Sequence, residues 1–233
     1  MVPIDLKEKK LNTIEDVAYY IPNFITEEQE NYIIDKVNSA PKPKWCQLSN
    51  RRLQNWGGIV HAKGLIPEKI PNWLNGFIDK IESLRVFPET NRPNHVLINE
   101  YLPEQGIMPH LDGNLFFPTI STISCGSHTV LNFYKPFTEI DKESNKFSTK
   151  KVYSLLLERR SLLVLQEKMY NNYMHGIEEI TTDIINDSIS NLKCCGSYMQ
   201  NGESLIRSKR ISLTIRNVPK VSKLNLNSLI KKK

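Results

Sequence analysis

The sequence is poor in cysteine, and its cysteines form no recognisable pattern. The 233 residues include four, Cys46, Cys125, Cys194 and Cys195, and no two have the C-x-x-C spacing. Disulfide frameworks and structural zinc sites need paired or clustered thiols. We therefore expect no disulfide framework and no structural zinc site, and this use of cysteine is consistent with a protein of a reducing compartment.

Long apolar runs are also missing. No stretch approaches the roughly 18 consecutive apolar residues of a membrane-spanning helix, and the start, MVPIDLKEKK, lacks the apolar segment of a secretory signal. We expect a soluble protein without a membrane contact. The chain does have a net charge of +6 and a pI near 9.0. That balance permits a nucleic-acid partner without demonstrating one.

The hydrophobic pattern predicts helices first and strands later. In residues 25–40, Thr26 and Gln29 have capping-box spacing ahead of apolar residues at helical intervals, and a second apolar stripe follows Pro71. Runs rich in Val, Ile, Leu and Tyr predict strands at 95–102, 121–134, 152–158, 161–166 and 210–218. Strands without intervening helices favour a mostly β fold, a sandwich or jelly roll with flanking α-helices outside it.

The predicted organisation has four parts. These are an N-terminal extension (1–17), a helical region (18–94), a β core (95–219) and a basic C-terminal tail (220–233). The core contains two polar segments, 135–146 and 181–202, that we interpret as exposed loops. We expect the tail to be a solvated end, with a nucleic-acid or partner contact as the alternative.

The motif His110-x-Asp112 suggests a metal site. Side chains two residues apart on an extended segment face the same way, so the imidazole and the carboxylate can reach one point. His175, from a distant strand, would complete a face of three ligands. Such a set is typical of non-haem Fe(II) oxygenases, although a zinc hydrolase could use the same residue types, and a polar turn is the plain alternative. The remaining histidines, His61, His95 and His128, are predicted to be structural or exposed.

Two further motifs could bind an anion. Asn99 and Tyr101 form another pair two residues apart, offering amide donors and a hydroxyl. The segment 210–216 alternates strictly, and one face carries Arg210, Ser212, Thr214 and Arg216. An edge strand with solvated arginines is the alternative. Because Arg210 and Arg216 are about 20 Å apart along a strand, they would serve opposite ends of a small dianion and a metal pocket.

The order N-x-Y, H-x-D, H and R-x5-R resembles the AlkB family of Fe(II)- and 2-oxoglutarate-dependent dioxygenases. The blocks APKPKWCQLSNRRLQNWGG, NHVLINEYLPEQGIMPHLDG, STISCGSHTVLNFY, SLLLERRSLLVL and RISLTIRNVP resemble the sixth AlkB-homologue subfamily. The likeness runs from about residue 18 to about residue 221. It implies a double-stranded β-helix (jelly-roll) core buttressed by N-terminal helices, with Fe(II) as cofactor, 2-oxoglutarate as co-substrate and O2 as oxidant.

The resemblance assigns roles by position. It implies iron ligation by His110, Asp112 and His175, and co-substrate binding by Asn99, Tyr101, Arg210, Ser212 and Arg216. Arg210 would grip the far carboxylate of 2-oxoglutarate with its planar fork, while Arg216 would lie nearer the iron. Ser212 departs from the asparagine of several family members, so we expect co-substrate affinity to differ. Residues 176–209 also exceed the spacing in the bacterial repair enzyme, which makes 181–202 an insertion.

The resemblance also implies where a substrate would bind. Family members hold a flipped nucleobase beneath an N-terminal lid, which corresponds here to KPKWCQLSNRRLQNWGG. Cations and aromatic residues alternate in it, a mixture that binds phosphates and stacks bases. The candidate substrate contacts are Lys44, Trp45, Arg51, Arg52 and Trp56 in the lid, with Asn114 and Phe116 beyond the metal motif. Buried tryptophans with solvated cations are the alternative.

Three functions fit these observations. The first is oxidative demethylation of alkylated or methylated DNA or RNA, releasing succinate, CO2 and formaldehyde. The second keeps the chemistry but acts on a protein or small molecule, and the third is a nucleic-acid-binding module without turnover. A complete ligand set favours an enzyme over the third. We expect the protein in the cytoplasm and nucleus, without an obligate protein partner.

Overall fold

Two antiparallel β-sheets face each other across a cavity in the computed structural model, which describes residues 4–135 and 151–223. The strands are β1 (Ala18–Ile21), β2 (Trp45–Gln47), β3 (Arg52–Trp56), β4 (Gly58–His61), β5 (Gly64–Pro67), β6 (His95–Tyr101), β7 (Ile107–His110), β8 (Thr119–Cys125), β9 (Thr129–Tyr134), β10 (Lys151–Leu157), β11 (Leu162–Gln166), β12 (Met174–Ile177), β13 (Thr182–Ile184), β14 (Ser204–Ile206) and β15 (Arg210–Arg216). The α-helices are α1 (Glu27–Asn38), α2 (Asn72–Glu82) and α3 (Glu167–Asn171). The large sheet has the order β1-β11-β8-β15-β6-β3-β2, and the small sheet has the order β10-β9-β12-β7.

Helices α1 and α2 cover the outer face of the large sheet. The predicted capping box is present, because the Thr26 side chain accepts from the Gln29 backbone and the Gln29 side chain accepts from the Thr26 backbone. The buried residues Ile33 and Val37 of α1 pack in one apolar cluster with Leu74 and Ile78 of α2. Strand residues whose side chains point outward complete this cluster, among them Val96, Ile98, Ile211, Leu213 and Ile215. Both helix predictions are confirmed.

The inner faces of the two sheets enclose a second apolar cluster. It contains Tyr101, Ile120, Leu131, Phe133, Leu155, Leu157, Leu163, Leu165 and Ile177. Since successive strand residues point to opposite faces, the odd-numbered apolar residues of β15 face the helices. Of its even-numbered polar residues, Arg210, Ser212 and Thr214 line the cavity, and Arg216 contacts Asp112 beside it. The mostly β, jelly-roll fold is confirmed, with five predicted runs matching strands β6, β8 with β9, β10, β11 and β15.

Some predictions of local structure need correction. The segment 181–202 is not simply an exposed loop, because it holds β13 and the buried residues Ile185 and Ile189, which pack against Leu156. Strands β1, β2 and β3 of the predicted helical region 18–94 join the large sheet together with strands of the predicted core. The start of the tail is paired, since Leu65 donates its backbone N–H to the Lys220 carbonyl at 2.8 Å. Most of the predicted loop 135–146 and residues 224–233 lie outside the described residues.

Among the described residues, no helix combines the length and apolar character needed to span a membrane.

Candidate metal and co-substrate site

Three potential metal ligands converge on the inner face of the small sheet. His110 ends β7 and pairs directly with His175 of β12, and Asp112 follows two residues after β7. One ligand atom from each residue lies within 4.8 Å of the others, and the two imidazole centroids are 4.5 Å apart. Gly176 allows this approach, because a Cβ there would lie 2.9 Å from the Ile107 carbonyl oxygen. The His-Asp-His set predicted from the sequence is therefore brought together and could hold a metal ion.

Hydrogen bonds orient two of the ligands. The Nδ1 atom of His110 lies 2.9 Å from the Met108 carbonyl oxygen, which can only accept, so Nδ1 carries the proton and Nε2 is free to coordinate. Asp112 accepts through Oδ1 from Arg216 at 3.1 Å. Its Oδ2 atom is buried and has no hydrogen-bond partner among the described residues. One carboxylate oxygen is thus fixed and the other is available to a cation.

The electrostatic environment keeps His175 neutral. Burial lowers the pKa of His175 to about 4, and the neighbouring His110 and Arg216 reinforce this against the opposing charge of Asp112. A neutral imidazole is the form that binds a metal. Proton competition for this ligand is therefore weak at neutral pH.

The large sheet supplies the opposite wall of the cavity. Tyr101 pairs with Arg210 and Asn99 pairs with Ser212 in the β6–β15 register. Asn99, Tyr101, Arg210 and Ser212 all line the cavity that contains the three ligands, which has a volume of about 100 Å³. Sequence alternation predicted this face correctly. Burial shows that β15 is not an edge strand with solvated arginines.

Arg210 is a buried cation with unused hydrogen-bond donors. Its Nη2 atom donates to Ser124 Oγ at 2.8 Å, whereas Nε and Nη1 have no partner among the described residues. Burial lowers the pKa of Arg210 to about 10, so the guanidinium is still charged at neutral pH. A buried charge without a partner costs free energy of desolvation unless a bound ligand supplies the missing counter-charge and hydrogen-bond acceptors. The two free donors fit a carboxylate, and 2-oxoglutarate carries one at each end.

Arg216 serves the metal end of the same strand. Besides its bond to Asp112, its guanidinium lies 3.9 Å from the centroid of the Phe116 ring. Its Nη2 atom is 3.5 Å from His95 Nδ1. Arg216 therefore lies beside the candidate ligand cluster, where it contacts Asp112 and not an open anion site.

Most of the predicted lid contacts lie on the other face of the large sheet. Arg52 makes a two-point salt bridge with Glu100, at 2.6 and 2.9 Å, and its guanidinium lies 3.9 Å from the Trp45 ring centroid. Lys44 pairs with Glu68 at 2.7 Å and lies 4.3 Å from the Trp56 ring centroid. Trp45 and Trp56 pack against the cluster formed with α1 and α2. The structure does not bring these four residues to the cavity. Strand alternation turns Trp45, Arg52 and Trp56 to the other face of the sheet, and Lys44 lies in the short 3-10 helix that precedes β2.

One predicted lid contact does reach the cavity, and Phe116 packs beside the site without lining it. Arg51 lines the cavity and donates from Nε to Asn99 Oδ1 at 3.1 Å. Phe116 packs on Arg216 and on His95, with 5.9 Å between the His95 and Phe116 ring centroids. Asn114 is exposed beyond the ligand loop.

His95 is the neighbour of this site that sequence reasoning missed. It is buried, pairs with Arg216 in the β6–β15 register and has its Nε2 atom unpaired among the described residues. Burial, with a smaller contribution from Arg216, lowers the pKa of His95 to about 3. The signal was present in the sequence, because His95 shares the alternating face of Asn99 and Tyr101.

Comparisons with known proteins agree with this geometry. Residues 26–216 match the model of the 2OG-Fe(II) oxygenase superfamily. The chain is 45% identical over 224 residues to "Probable RNA/DNA demethylase ALKBH6" of Danio rerio, covering 96% of this chain and 94% of that protein. It is 28% identical to "Uncharacterized protein L905" of Acanthamoeba polyphaga mimivirus, over 86% of this chain and 84% of that one.

Solved structures share the fold at low sequence identity. OsALKBH1 superposes with a TM-score of 0.57 at 13% identity, covering 88% of this chain and 98% of that chain. An oxidoreductase of the 2OG-Fe(II) oxygenase family from Burkholderia pseudomallei superposes with a TM-score of 0.54 at 9% identity, covering 87% of this chain and 84% of that chain. With the superfamily match and the 45% identical relative, these findings identify the chain as a member of the AlkB family of the 2OG-Fe(II) oxygenase superfamily, a dioxygenase that uses Fe(II), 2-oxoglutarate and O2.

Proposed function

We propose that this dioxygenase oxidatively demethylates alkylated nucleic acid. The observation that carries the proposal is the buried, incompletely bonded guanidinium of Arg210 in the same cavity as the His-Asp-His cluster. The zebrafish relative bears the name of an RNA/DNA demethylase, and the net charge of +6 favours a polyanionic substrate.

The bound cofactor and co-substrate supply the oxidising chemistry. 2-Oxoglutarate and O2 give succinate and CO2 while a methyl group on a substrate nitrogen is hydroxylated, and the hydroxymethyl product releases formaldehyde. The protein has to bind, orient and shield the reactants.

The small sheet would hold the iron. His110 offers Nε2, His175 offers a neutral imidazole and Asp112 offers Oδ2. Arg216 fixes the other carboxylate oxygen of Asp112 and so keeps the coordinating oxygen aimed at the cluster.

The large sheet would hold 2-oxoglutarate. Arg210 would bind the far carboxylate, with the Tyr101 hydroxyl beside it, while Asn99 and Ser212 offer donors along the cavity wall. Apolar residues line the rest of the cavity and exclude water from the reactants, among them Leu131, Leu157, Leu163 and Leu165.

The test compares wild-type protein with Asp112→Ala, His110→Ala and Asp35→Ala. The His110 variant leaves the Arg216–Asp112 pair intact, and Asp35 is an exposed aspartate of α1 that serves as the matched control. Anaerobic binding of Fe(II) and 2-oxoglutarate is measured first, followed by succinate and formaldehyde release in air with methylated DNA and RNA oligonucleotides.

We expect oligonucleotide-stimulated release of both products by the wild type and Asp35→Ala, and none by the two ligand variants. Binding of iron and co-substrate without oligonucleotide stimulation would point to a protein or small-molecule substrate. A nucleic-acid substrate also leads us to propose residence in the cytoplasm and nucleus, which imaging of the tagged protein would test.

A further inference from the structure

Arg51 is the cation that the lid contributes to the co-substrate cavity. It closes the turn between β2 and β3, in which Leu48 donates its backbone N–H to the Arg51 carbonyl at 2.9 Å. Its side chain lines the cavity, and Nε donates to Asn99 Oδ1 at 3.1 Å. Asn50 in the same turn hydrogen-bonds to Glu179, beyond β12. The turn is therefore held to the large sheet through Asn99 and to the segment that follows β12 through Glu179.

Sheet register places Arg51 at the Arg210 end of that cavity. Arg52 pairs with Glu100, so the next position of the antiparallel register sets Arg51 opposite Tyr101. On its other side Tyr101 pairs with Arg210. Tyr101 thus lies between two guanidiniums. Burial raises the pKa of its hydroxyl, while the charges of Arg210 and Arg51 both act to lower it.

Within the part of the chain that the structure describes, neither cation at this end of the cavity is paired with a carboxylate. Among the described residues lining the cavity, Asp112 is the one carboxylate, and it belongs to the metal cluster and bonds to Arg216. Arg52, the next residue along the chain, is instead neutralised by Glu100 on the opposite face of the sheet. Two like charges sharing a cavity of about 100 Å³ repel each other unless an anion binds between them.

We propose that Arg51 is a positioning residue for the co-substrate, adding a second positive charge beside the carboxylate that Arg210 binds. It also orients Asn99, because an amide oxygen that accepts from Arg51 leaves the amide N–H groups free to donate elsewhere in the cavity. This inference rests on the proposed co-substrate role of Arg210. It assigns Arg51 to 2-oxoglutarate and not to the nucleic acid.

The experiment separates the far carboxylate from the rest of the co-substrate. Calorimetry measures the binding of 2-oxoglutarate, and of 2-oxobutyrate, which lacks the far carboxylate, to Mn(II)-loaded protein. The variants are Arg51→Ala and Arg51→Lys, with Arg85→Ala as the control, since Arg85 is an exposed arginine just beyond α2 in the helical layer. Steady-state kinetics then give KM for 2-oxoglutarate and for the oligonucleotide separately.

We expect Arg51→Ala to weaken 2-oxoglutarate binding about tenfold, as loss of one charge-assisted contact implies, and to change 2-oxobutyrate binding less than about twofold. Arg51→Lys should recover part of the loss because it keeps the charge, and Arg85→Ala should match the wild type. The KM for 2-oxoglutarate should rise while kcat and the oligonucleotide KM stay near wild-type values.

Two results would overturn the inference while leaving the proposed function intact. In the first, wild type binds 2-oxoglutarate, Arg51→Ala binds it equally well and only the oligonucleotide KM rises, which makes Arg51 a substrate contact. In the second, Arg51→Ala weakens both ligands equally and Arg51→Lys recovers nothing, which indicates a loosened turn. If the wild type itself binds no 2-oxoglutarate, the proposed function fails together with this inference.

Discussion

Arg216 donates a hydrogen bond from Nη1 to Asp112 Oδ1 at 3.1 Å, across the gap between the large sheet and the ligand loop of the small sheet. Both side chains are nearly excluded from solvent, with exposed fractions of 6% and 9%. One sheet thereby sets the orientation of a candidate metal ligand that the other sheet positions. This contact connects the His-Asp-His cluster to the large sheet, which carries the buried cation Arg210.

Replacing Arg216 with Lys should weaken metal binding by about 10- to 100-fold, the range seen when a residue that orients a metal ligand is lost. Lysine keeps the charge but lacks the planar fork that contacts Asp112 and stacks on Phe116. Competition titration with Mn(II) or Co(II) measures the effect, with Arg85→Lys as control. An unchanged dissociation constant would show that Asp112 holds its position without this contact.

Replacing Arg210 with Met should stabilise the protein without ligand and abolish its response to 2-oxoglutarate. The side chain is buried, charged and incompletely bonded, so a neutral residue of similar length removes a desolvation cost. We expect a melting temperature a few degrees higher, at about 2–4 °C per kcal/mol for a chain of this size.

Saturating 2-oxoglutarate with Mn(II) should raise the wild-type melting temperature by roughly 5–10 °C, the stabilisation expected at about 100 times Kd. Arg210→Met should show no such shift, whereas the exposed control Arg85→Met should behave like the wild type. A retained shift in Arg210→Met would remove Arg210 from the co-substrate site.

Side-chain alternation made much of the site predictable. The i, i+2 spacing of His110 and Asp112 and the even-numbered polar face of 210–216 follow from strand geometry alone. The pairing of His175 with His110 is a long-range contact that spacing could not supply. The family resemblance supplied it.

The lid shows where such reasoning fails. Arg51 and Arg52 are adjacent arginines in a polar segment, and a shift of one residue exchanges their faces. Only the observed register, with Arg52 opposite Glu100, shows that Arg51 enters the cavity and Arg52 faces the helices. The buried part of segment 181–202 is hidden from such a prediction for a related reason, since a few apolar residues such as Ile185 pack against Leu156 despite the polar composition of the segment.

Replacing Asp183 with Asn should loosen the pairing of β13 with β14, which joins the two ends of the insertion 181–202. Asp183 binds Arg207 through both carboxylate oxygens at 2.7 Å, and the two side chains are 3% and 6% exposed. Breaking a buried pair leaves an uncompensated charge and costs about 3 kcal/mol. Urea unfolding and hydrogen exchange over residues 181–206 measure the loss, and Asp187→Asn, an exposed change in the same insertion, is the control.

The Asp183–Arg207 ion pair also predicts how the free energy of unfolding changes at low pH. Burial raises the pKa of Asp183, but the hydrogen bonds from Arg207 and the nearby His128, whose Nε2 lies 3.2 Å from Asp183 Oδ2, outweigh it and hold that pKa below the ordinary 3.8. A carboxyl group whose pKa is lower in the folded protein than in the unfolded chain stabilises the fold when the pH is above its unfolded-state pKa. That stabilisation is lost as the pH falls through the folded-state pKa. The difference between wild type and Asp183→Asn should therefore be constant above about pH 5 and shrink as the pH falls below that value. A difference that grows on acidification would contradict this assignment.

His95 should make the metal-free protein sensitive to pH in a different window. Burial lowers its pKa from 6.5 to about 3, so between these values the unfolded chain binds a proton that the folded protein does not. Stability then rises with pH, and moving from pH 7 to pH 5 should cost about 2 kcal/mol through this one residue. Urea unfolding at the two pH values measures this fall in the free energy of unfolding. In His95→Gln the fall should be smaller than in wild type by about 2 kcal/mol, whereas His61→Gln, at an exposed position, should show the same fall as wild type. Equal losses in His95→Gln and wild type would mean that the folded protein protonates His95 beside Arg216, which the 3.5 Å contact between Arg216 Nη2 and His95 Nδ1 opposes.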